Sequence, residues 1–440
     1  MSTSREAPIR SKTGLRRTLT LWDLVFYGII VIQPTAPMPL FGVVSQEARG
    51  HVVTTVLLAM VAMLLTAVSY GRMARIYPSA GSAYAYVTGE FGNLTGYLTG
   101  WAIVMDYLLN PLICTIWCSK AAANLLPLPY WLWAAFFATL FTLLNLRGVE
   151  ASARTNKWLA IFMGAVVAYM LVVMTNYILH FTSLSAIALT RPFYDPQTFS
   201  LAAVSTGTSI AALTYIGFDS ISTLSEETIN PTRNILRATV LTCLFTGVIA
   251  AIEVYAGQLV WPDFKTYPDV DTAYSFVAGR AGGQILFHIV NSTLLLATIG
   301  SGMGSQLGAA RLLYGMGRDN ALPRKPFGHV DLRSGVPNYN VLISGAVALT
   351  GALSISYQLG AELLNFGAFL AFTGVNAAAF WRYYVKNRER TWSNLVIPIA
   401  GCLVCLYIWK SLRWQAQVLG VSWLVVGITY RLVRNRMARA

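Results

Sequence analysis

Charge is scarce in this sequence. Asp, Glu, Lys and Arg make up 11% of its 440 residues, where a soluble chain carries roughly 25%, and so few cannot solvate a globular surface of that size. Histidine numbers four, and no G-x-S-x-G, H-E-x-x-H or paired metal motif occurs, which leaves little for hydrolytic or metal chemistry. An intramembrane enzyme would have to pair Ser301 or Ser305 with His288. The repeated polar stripes and selectivity loop of a channel are missing as well. Cysteines stand at 114, 118, 243, 402 and 405, all inside apolar runs, so disulfides are not expected. Cys402 and Cys405 have C-x-x-C spacing but no second pair or histidine, and read as small apolar filler.

What the chain does have is hydrocarbon: 55% of residues are hydrophobic. Apolar runs of about 18 or more residues, enough to cross some 30 Å of lipid, recur almost from end to end. About twelve spans are expected, near 21–45, 52–77, 91–123, 129–146, 157–180, 202–226, 234–260, 282–317, 337–356, 361–384, 394–411 and 413–432. The net charge of +14 does not call for nucleic acid. With the N-terminus in the cytoplasm, segments 5–17, 72–75, 147–157, 233–237, 311–333, 382–390 and 431–439 hold 25 of the 32 Lys and Arg. That is the positive-inside pattern, and it places both termini in the cytoplasm. No small-residue cleavage site follows the basic start, so the first span is expected to act as an uncleaved insertion signal.

Two spans break in the same manner. The first carries Pro34, Pro37 and Pro39 in its middle, and three prolines within six residues cannot sit in one continuous helix. The sixth reads Thr214-Tyr-Ile-Gly-Phe-Asp219 and then the polar run 220–227. Broken backbone at membrane depth needs protein or a wet cavity around it. Five spans separate the two starts, so the halves are opposite in orientation, which points to an inverted repeat with a solute site between its halves. The expected organisation is a tail at 1–20, repeats at 21–200 and 201–390, and two further spans at 391–440.

Ionisable residues inside spans are costly and therefore candidates for function. Asp106 beside Tyr107, Asp219 beside Phe218 and Gly217, and Glu253 stand out, with His288 and Asn291 in the eighth span and His288 reading as a helix contact. At the first break Gln33, Thr35 and Ala36 are candidate contacts. Prolines have no N–H to give, leaving chiefly Thr35, Ala36 and Met38 to hold a carboxylate, which weakens such a seat. The acids with Tyr107, Tyr215 and Phe218 favour a cation instead, and amino acids stay open. Glu226 and Glu227, near Arg233 and Arg237, are expected to form a gate on the inner face. Ser301 and Ser305 sit in a small-residue stretch that allows close packing, and their hydroxyls could ligate sodium.

The runs Ser69-Tyr-Gly-Arg-Met-Ala-Arg-Ile-Tyr-Pro-Ser-Ala-Gly-Ser-Ala-Tyr-Ala-Tyr86, Gly217-Phe-Asp-Ser-Ile-Ser-Thr-Leu-Ser-Glu-Glu227 with Asn230-Pro231, and Arg311-Leu-Leu-Tyr-Gly-Met-Gly-Arg-Asp-Asn320 resemble the amino acid/polyamine/organocation superfamily over nearly the whole chain. Within it the chain looks most like bacterial putrescine importers, through Gly100-Trp101, Asp106-Tyr107 and Pro111. The resemblance implies an all-α, twelve-helix LeuT-like fold with a five-plus-five inverted repeat. It further implies secondary transport of amino acids or cationic amines across the inner membrane by alternating access, with proton-coupled symport or exchange, no cofactor, and sodium still open. By the same resemblance Asp219 takes the place of a gating or proton-sensing acid and Tyr107 that of a cavity-lining tyrosine. Two departures stand out: Pro39 replaces an aspartate of the importers, and Lys157 lies at the mouth of the fifth span rather than deep inside it. The resemblance leaves the oligomeric state open.

Overall fold

In hydrocarbon a backbone N–H or C=O has no water to bond, so each crossing segment must close its own hydrogen-bond ladder. The computed structural model describes residues 18–77, 82–147, 153–182, 185–318, 322–331 and 336–437, and the side chains of these except 153–157, 160, 223, 226, 435 and 437. The first span is α1 (Leu21–Ile32) and α2 (Phe41–Glu47), followed by α3 (Val52–Ile76), the short α4 (Ser82–Phe91), α5 (Asn93–Ala123), α6 (Tyr130–Leu146), α7 (Ala153–Phe181) and the connecting α8 (Ala186–Thr190). The sixth span is α9 (Leu201–Ala211) and α10 (Ser220–Thr223). Then come α11 (Pro231–Val260), α12 (Ala273–Arg318), the small α13 (Arg324–Phe327), α14 (Asn338–Ser354), α15 (Tyr357–Ala379), α16 (Trp392–Lys410) and α17 (Trp414–Met437).

Among the described residues nine helices are long and apolar enough to cross a membrane. The broken first span, α6 and α14, each under eighteen residues per helix, complete the twelve expected. Boundaries shift where glycine permits. The expected span 91–123 is α5, and Gly92 (φ 85°) separates it from α4, a short helix that lies ahead of that span. The span expected from 282 begins earlier, at Ala273, with a kink at Gly282 and Gly283.

Packing follows the repeat. Moving both partners along by five spans turns the main contacts among the ten spans into others that are present. Thus α1 on α11 becomes α9 on α3, α5 on α15 becomes α12 on α7, and α5 on α14 becomes α12 on α6. The pairs α3–α11, α5–α12 and α6–α14 map onto themselves. Lipid gives helices no hydrophobic reason to associate, so small residues and hydrogen bonds do the work. A Cβ on Gly71 of α3 would meet the backbone of Leu236 in α11, and one on Gly367 of α15 the carbonyl of Ala102 in α5. Asn145 and Thr142 of α6 bond Gln306 of α12 at 2.8 and 3.0 Å. Asn291 donates to Ala121 O at 2.9 Å and accepts from Ser275 at 3.2 Å, which makes it a helix contact. Outside the ten repeat spans, α17 is strapped to α5 by Trp101 and Trp423. Their rings stack at 4.6 Å, and each indole N–H donates to the other's carbonyl at 2.8 and 2.9 Å.

Candidate functional site

The prolines end α1 at Ile32, and Gln33 caps it at φ 72°. Its N–H still reaches Ile29 O at 2.9 Å, while its Nε2 donates to Ala297 O of α12 at 2.8 Å. The chain then turns on itself: Ala36 N–H donates to Gln33 O at 3.2 Å and Met38 N–H to Thr35 O at 3.1 Å. Two of the three amides expected to be available for a carboxylate are therefore already bonded. Thr35 and Met38 face an apolar gap lined by Val166, Val167 and Met170 of α7 and by Val290, Thr293 and Leu294 of α12.

The second break lies against the first. After α9 the backbone tightens into a 3-10 turn, Ala212–Tyr215, and Gly217 adopts φ 120°, a region that disfavours any side chain. A Cβ there would sit 3.0 Å from Val31 and 3.5 Å from Ile32, so glycine is what lets the two interruptions touch. The turn aims backbone N–H groups inward, and the Asp219 carboxylate accepts from those of Gly217 and Ser220. Asp106 of α5 lies within electrostatic reach of Asp219. Tyr27, Tyr70, Tyr86 and Tyr107, from α1, α3, α4 and α5, all lie within the field of Asp219. Tyr107 lies over Gly308 of α12, where a Cβ would come within 2.9 Å of the ring. Among the described residues neither acid forms an ion pair.

Aromatic rings close this site on the side of α4. Tyr70 meets Phe218 at 5.5 Å, Tyr86 at 6.0 Å and Phe372 at 5.8 Å, all edge-on, and each ring is buried. The opposite side carries a polar bridge. Gln358 of α15 donates to Glu47 at the end of α2 at 2.7 Å and to Glu362 at 3.3 Å, and Arg413 donates to Glu362 at 2.6 Å.

Several expectations need correction. Tyr215 does not face the acids: it is fully buried, and its hydroxyl donates to Val56 O of α3 at 2.8 Å. Glu227 pairs with neither Arg233 nor Arg237 among the described residues. Its backbone carbonyl instead receives the N–H groups of Thr18 and Leu19 at 2.9 and 3.1 Å, while the Glu226 side chain, like that of Lys157, lies outside the described residues. Glu253 is fully buried with both carboxylate oxygens unpartnered among the described residues, and it lies beside Tyr274, apart from Asp219. Ser305 donates to Ser301 O, one turn back in α12, at 2.7 Å, which leaves its oxygen lone pairs unused. His288 is exposed beside Phe287 rather than buried as a helix contact. It sits thirteen residues from Ser301 along one helix, roughly 20 Å, so no Ser–His pair forms. The residues sequence reasoning missed, Tyr27, Tyr70, Tyr86, Glu47 and Glu362, lie near helix ends or read as ordinary aromatics, and only their neighbours mark them out.

An amino acid permease family model matches residues 35–415. The low-affinity putrescine importer PlaP of Escherichia coli K12 is 33% identical over 435 residues, spanning 96% of this chain and 94% of that protein. The branched-chain amino acid permease BcaP of Lactococcus lactis subsp. cremoris is 26% identical over 451 residues, 94% and 93% of the two chains. The methylthioribose transporter of Bacillus subtilis is 26% identical over 464 residues, 98% and 95%.

Proposed function

Because the chain belongs to the amino acid permease family and is a multi-pass secondary transporter, we propose that its substrate is a cationic amine, bound through its ammonium group between Asp106 and Asp219. One observation carries this reading: two half-buried carboxylates lie within each other's field and, among the described residues, neither has a cationic partner. Uncompensated charge at membrane depth is costly. A substrate ammonium offsets it, with Tyr107 and Tyr70 offering ring faces and hydroxyls around the cation. The first break argues the same way from the other end, since Ala36 and Met38 have already given their N–H groups within the loop. The putrescine importer among the relatives is in keeping with an amine, and the branched-chain permease makes an α-amino acid the comparison to test.

The basic bias supports placing both termini in the cytoplasm of a bacterial inner membrane, with repeats near 21–200 and 201–390 and a tail at 1–20. The Glu47–Gln358–Glu362–Arg413 bridge then lies at the outer mouth. A proton is the coupling ion in this reading, and Glu253 is its carrier, because a fully buried carboxyl without a partner is tolerated far better neutral than ionised.

The test is uptake into proteoliposomes of labelled putrescine, lysine and leucine by the wild type and by Asp106→Asn. Saturable putrescine uptake that excess leucine leaves unchanged, and that Asp106→Asn depresses tenfold or more, is the expected result. Leucine uptake that survives Asp106→Asn, with no uptake of either cation by the wild type, would sink the reading.

A further inference from the structure

The motif ending in Tyr86 runs into α4, which does not cross the membrane. It is nevertheless attached to the site at one end and to the far end of α15 at the other. At its start, Ser82, held at φ 46°, accepts a hydrogen bond at 3.2 Å from Ser222 of α10, whose hydroxyl also reaches Asp219 O. One turn on, Tyr86 lies beside Ser222 and in the field of Asp219. Four residues further, on the same face of the helix, Glu90 has a fully buried side chain that faces Arg382 at 3.6 Å and Lys386 at 3.8 Å. Tyr77 joins the two positions, with its ring 6.4 Å from that of Tyr86 and its hydroxyl 2.8 Å from Glu90 Oε1.

The partners of Glu90 occupy an unusual stretch. From Phe380 to Lys386, directly after α15 and continuing it, the backbone is π-helical, a winding that is rare overall yet frequent at functional sites. The same stretch holds α3 and α16: Tyr383 donates to Arg72 O at 2.9 Å, and the Arg72 guanidinium reaches Ser393 O and Asn394 Oδ1, both at 2.9 Å. The grip on Glu90 is loose by comparison. At 3.6 Å it is not a bidentate pair, and among the described residues Arg382 Nε has no hydrogen-bond partner.

We propose that α4 is the gate on the basic face, that the Glu90–Arg382 ion pair is its latch, and that occupancy of the site at Asp219 is felt at Tyr86 and releases Glu90 through the same short helix. The π-helical stretch of α15 is where the latch gives way while Tyr383 keeps its hold on α3. This assigns a role to Glu90 and Arg382, which the amine site itself does not use, and it stands whichever substrate the site takes.

Cys243 of α11 supplies the readout, because it is fully buried and lies in the field of Asp219, behind the proposed gate. With the other four cysteines changed to alanine, its alkylation by a charged, membrane-impermeant thiol reagent is followed from each face in right-side-out and inside-out vesicles. Glu90→Gln is expected to speed labelling from the basic face at least threefold and leave the opposite face unchanged. The double reversal Glu90→Arg with Arg382→Glu is expected to return the rate to within threefold of the parent. Less than a threefold rise in Glu90→Gln, or a double reversal that labels as fast as Glu90→Gln, overturns the latch. If Glu90→Gln does not accumulate in the membrane, Arg382→Gln takes its place under the same criterion.

Discussion

Asp219→Asn separates charge from shape at the proposed amine seat. Asparagine keeps an oxygen to accept the N–H groups of Gly217 and Ser220 that hold the native carboxylate, so the break keeps its course and only the negative charge goes. A hydrogen bond to a charged group contributes about 1.5–3 kcal/mol net, and removing one partner of a buried pair costs about 3–5 kcal/mol. Asp106 remains nearby to hold part of the cation, so the lower end of the second range, about 3 kcal/mol, is the better figure. At roughly 1.4 kcal/mol per decade that is about a 150-fold rise in Kd for putrescine. Leucine binding, if measurable, changes less than threefold, because its charges cancel. Radioligand binding to purified protein at pH 7 reads both, and a melting curve confirms that the variant is folded. A putrescine Kd within threefold of the wild type refutes the reasoning, as does an equal rise for leucine.

Glu253→Gln removes a carboxyl whose oxygens lack partners among the described residues, so the melting temperature is expected to hold while uptake loses its dependence on outside pH; an unchanged pH profile would rule out Glu253 as the proton carrier. Gly71→Ala forces a Cβ onto the Leu236 backbone, which cannot swing aside as a side chain could, and overpacking of this kind costs about 1–3 kcal/mol, read as a lower melting temperature. Trp423→Ala removes the stacked ring and the hydrogen bond its indole donates to Trp101 O, while the backbone carbonyl at 423 can still accept from the Trp101 indole; it is expected to cost about 3–5 kcal/mol, seen in the same melt. In the loop after α8, burial tends to raise the pKa of Asp195, but the Gln197 N–H and the Arg191 guanidinium outweigh it, and the value ends below the ordinary carboxylate range. A depressed pKa contributes stability above the unfolded value and loses it as pH falls through the folded one. The protection factors of 195–199, exchange rates corrected for the intrinsic rate at each pH, are therefore expected to be the same at pH 5 as at pH 7 and to fall only below about pH 4; a fall at pH 5 would count against the Arg191 pairing.

The architecture was legible in the sequence because membrane depth and hydrogen-bond satisfaction act locally. Span lengths come from the width of hydrocarbon, and the positions of Pro34, Pro37, Pro39 and Gly217 mark where a helix must stop. Asp106 and Asp219 could also be picked out one at a time, since a lone acid in an apolar run is conspicuous by itself.

What stands beside what was decided only by the tertiary fold. Helical periodicity says which way a side chain faces on its own helix but not which helix it meets, so Tyr215, two residues before Gly217, turned out to anchor α3. Glu227 lies close in sequence to Arg233, yet the backbone of Thr18 and Leu19 reaches it first. Glu90 finds its partners nearly three hundred residues away, because α4 folds back beneath the site and α15 ends in a wider turn there. Glu47 and Glu362 are unremarkable where they stand in the chain, and become one polar bridge only because α2, α15 and the turn before α17 converge. The sequence by itself determined a broken-helix carrier. The packing of its halves determined which residues meet at the two breaks, and which join in the Glu47–Glu362 bridge and the Glu90–Arg382 pair.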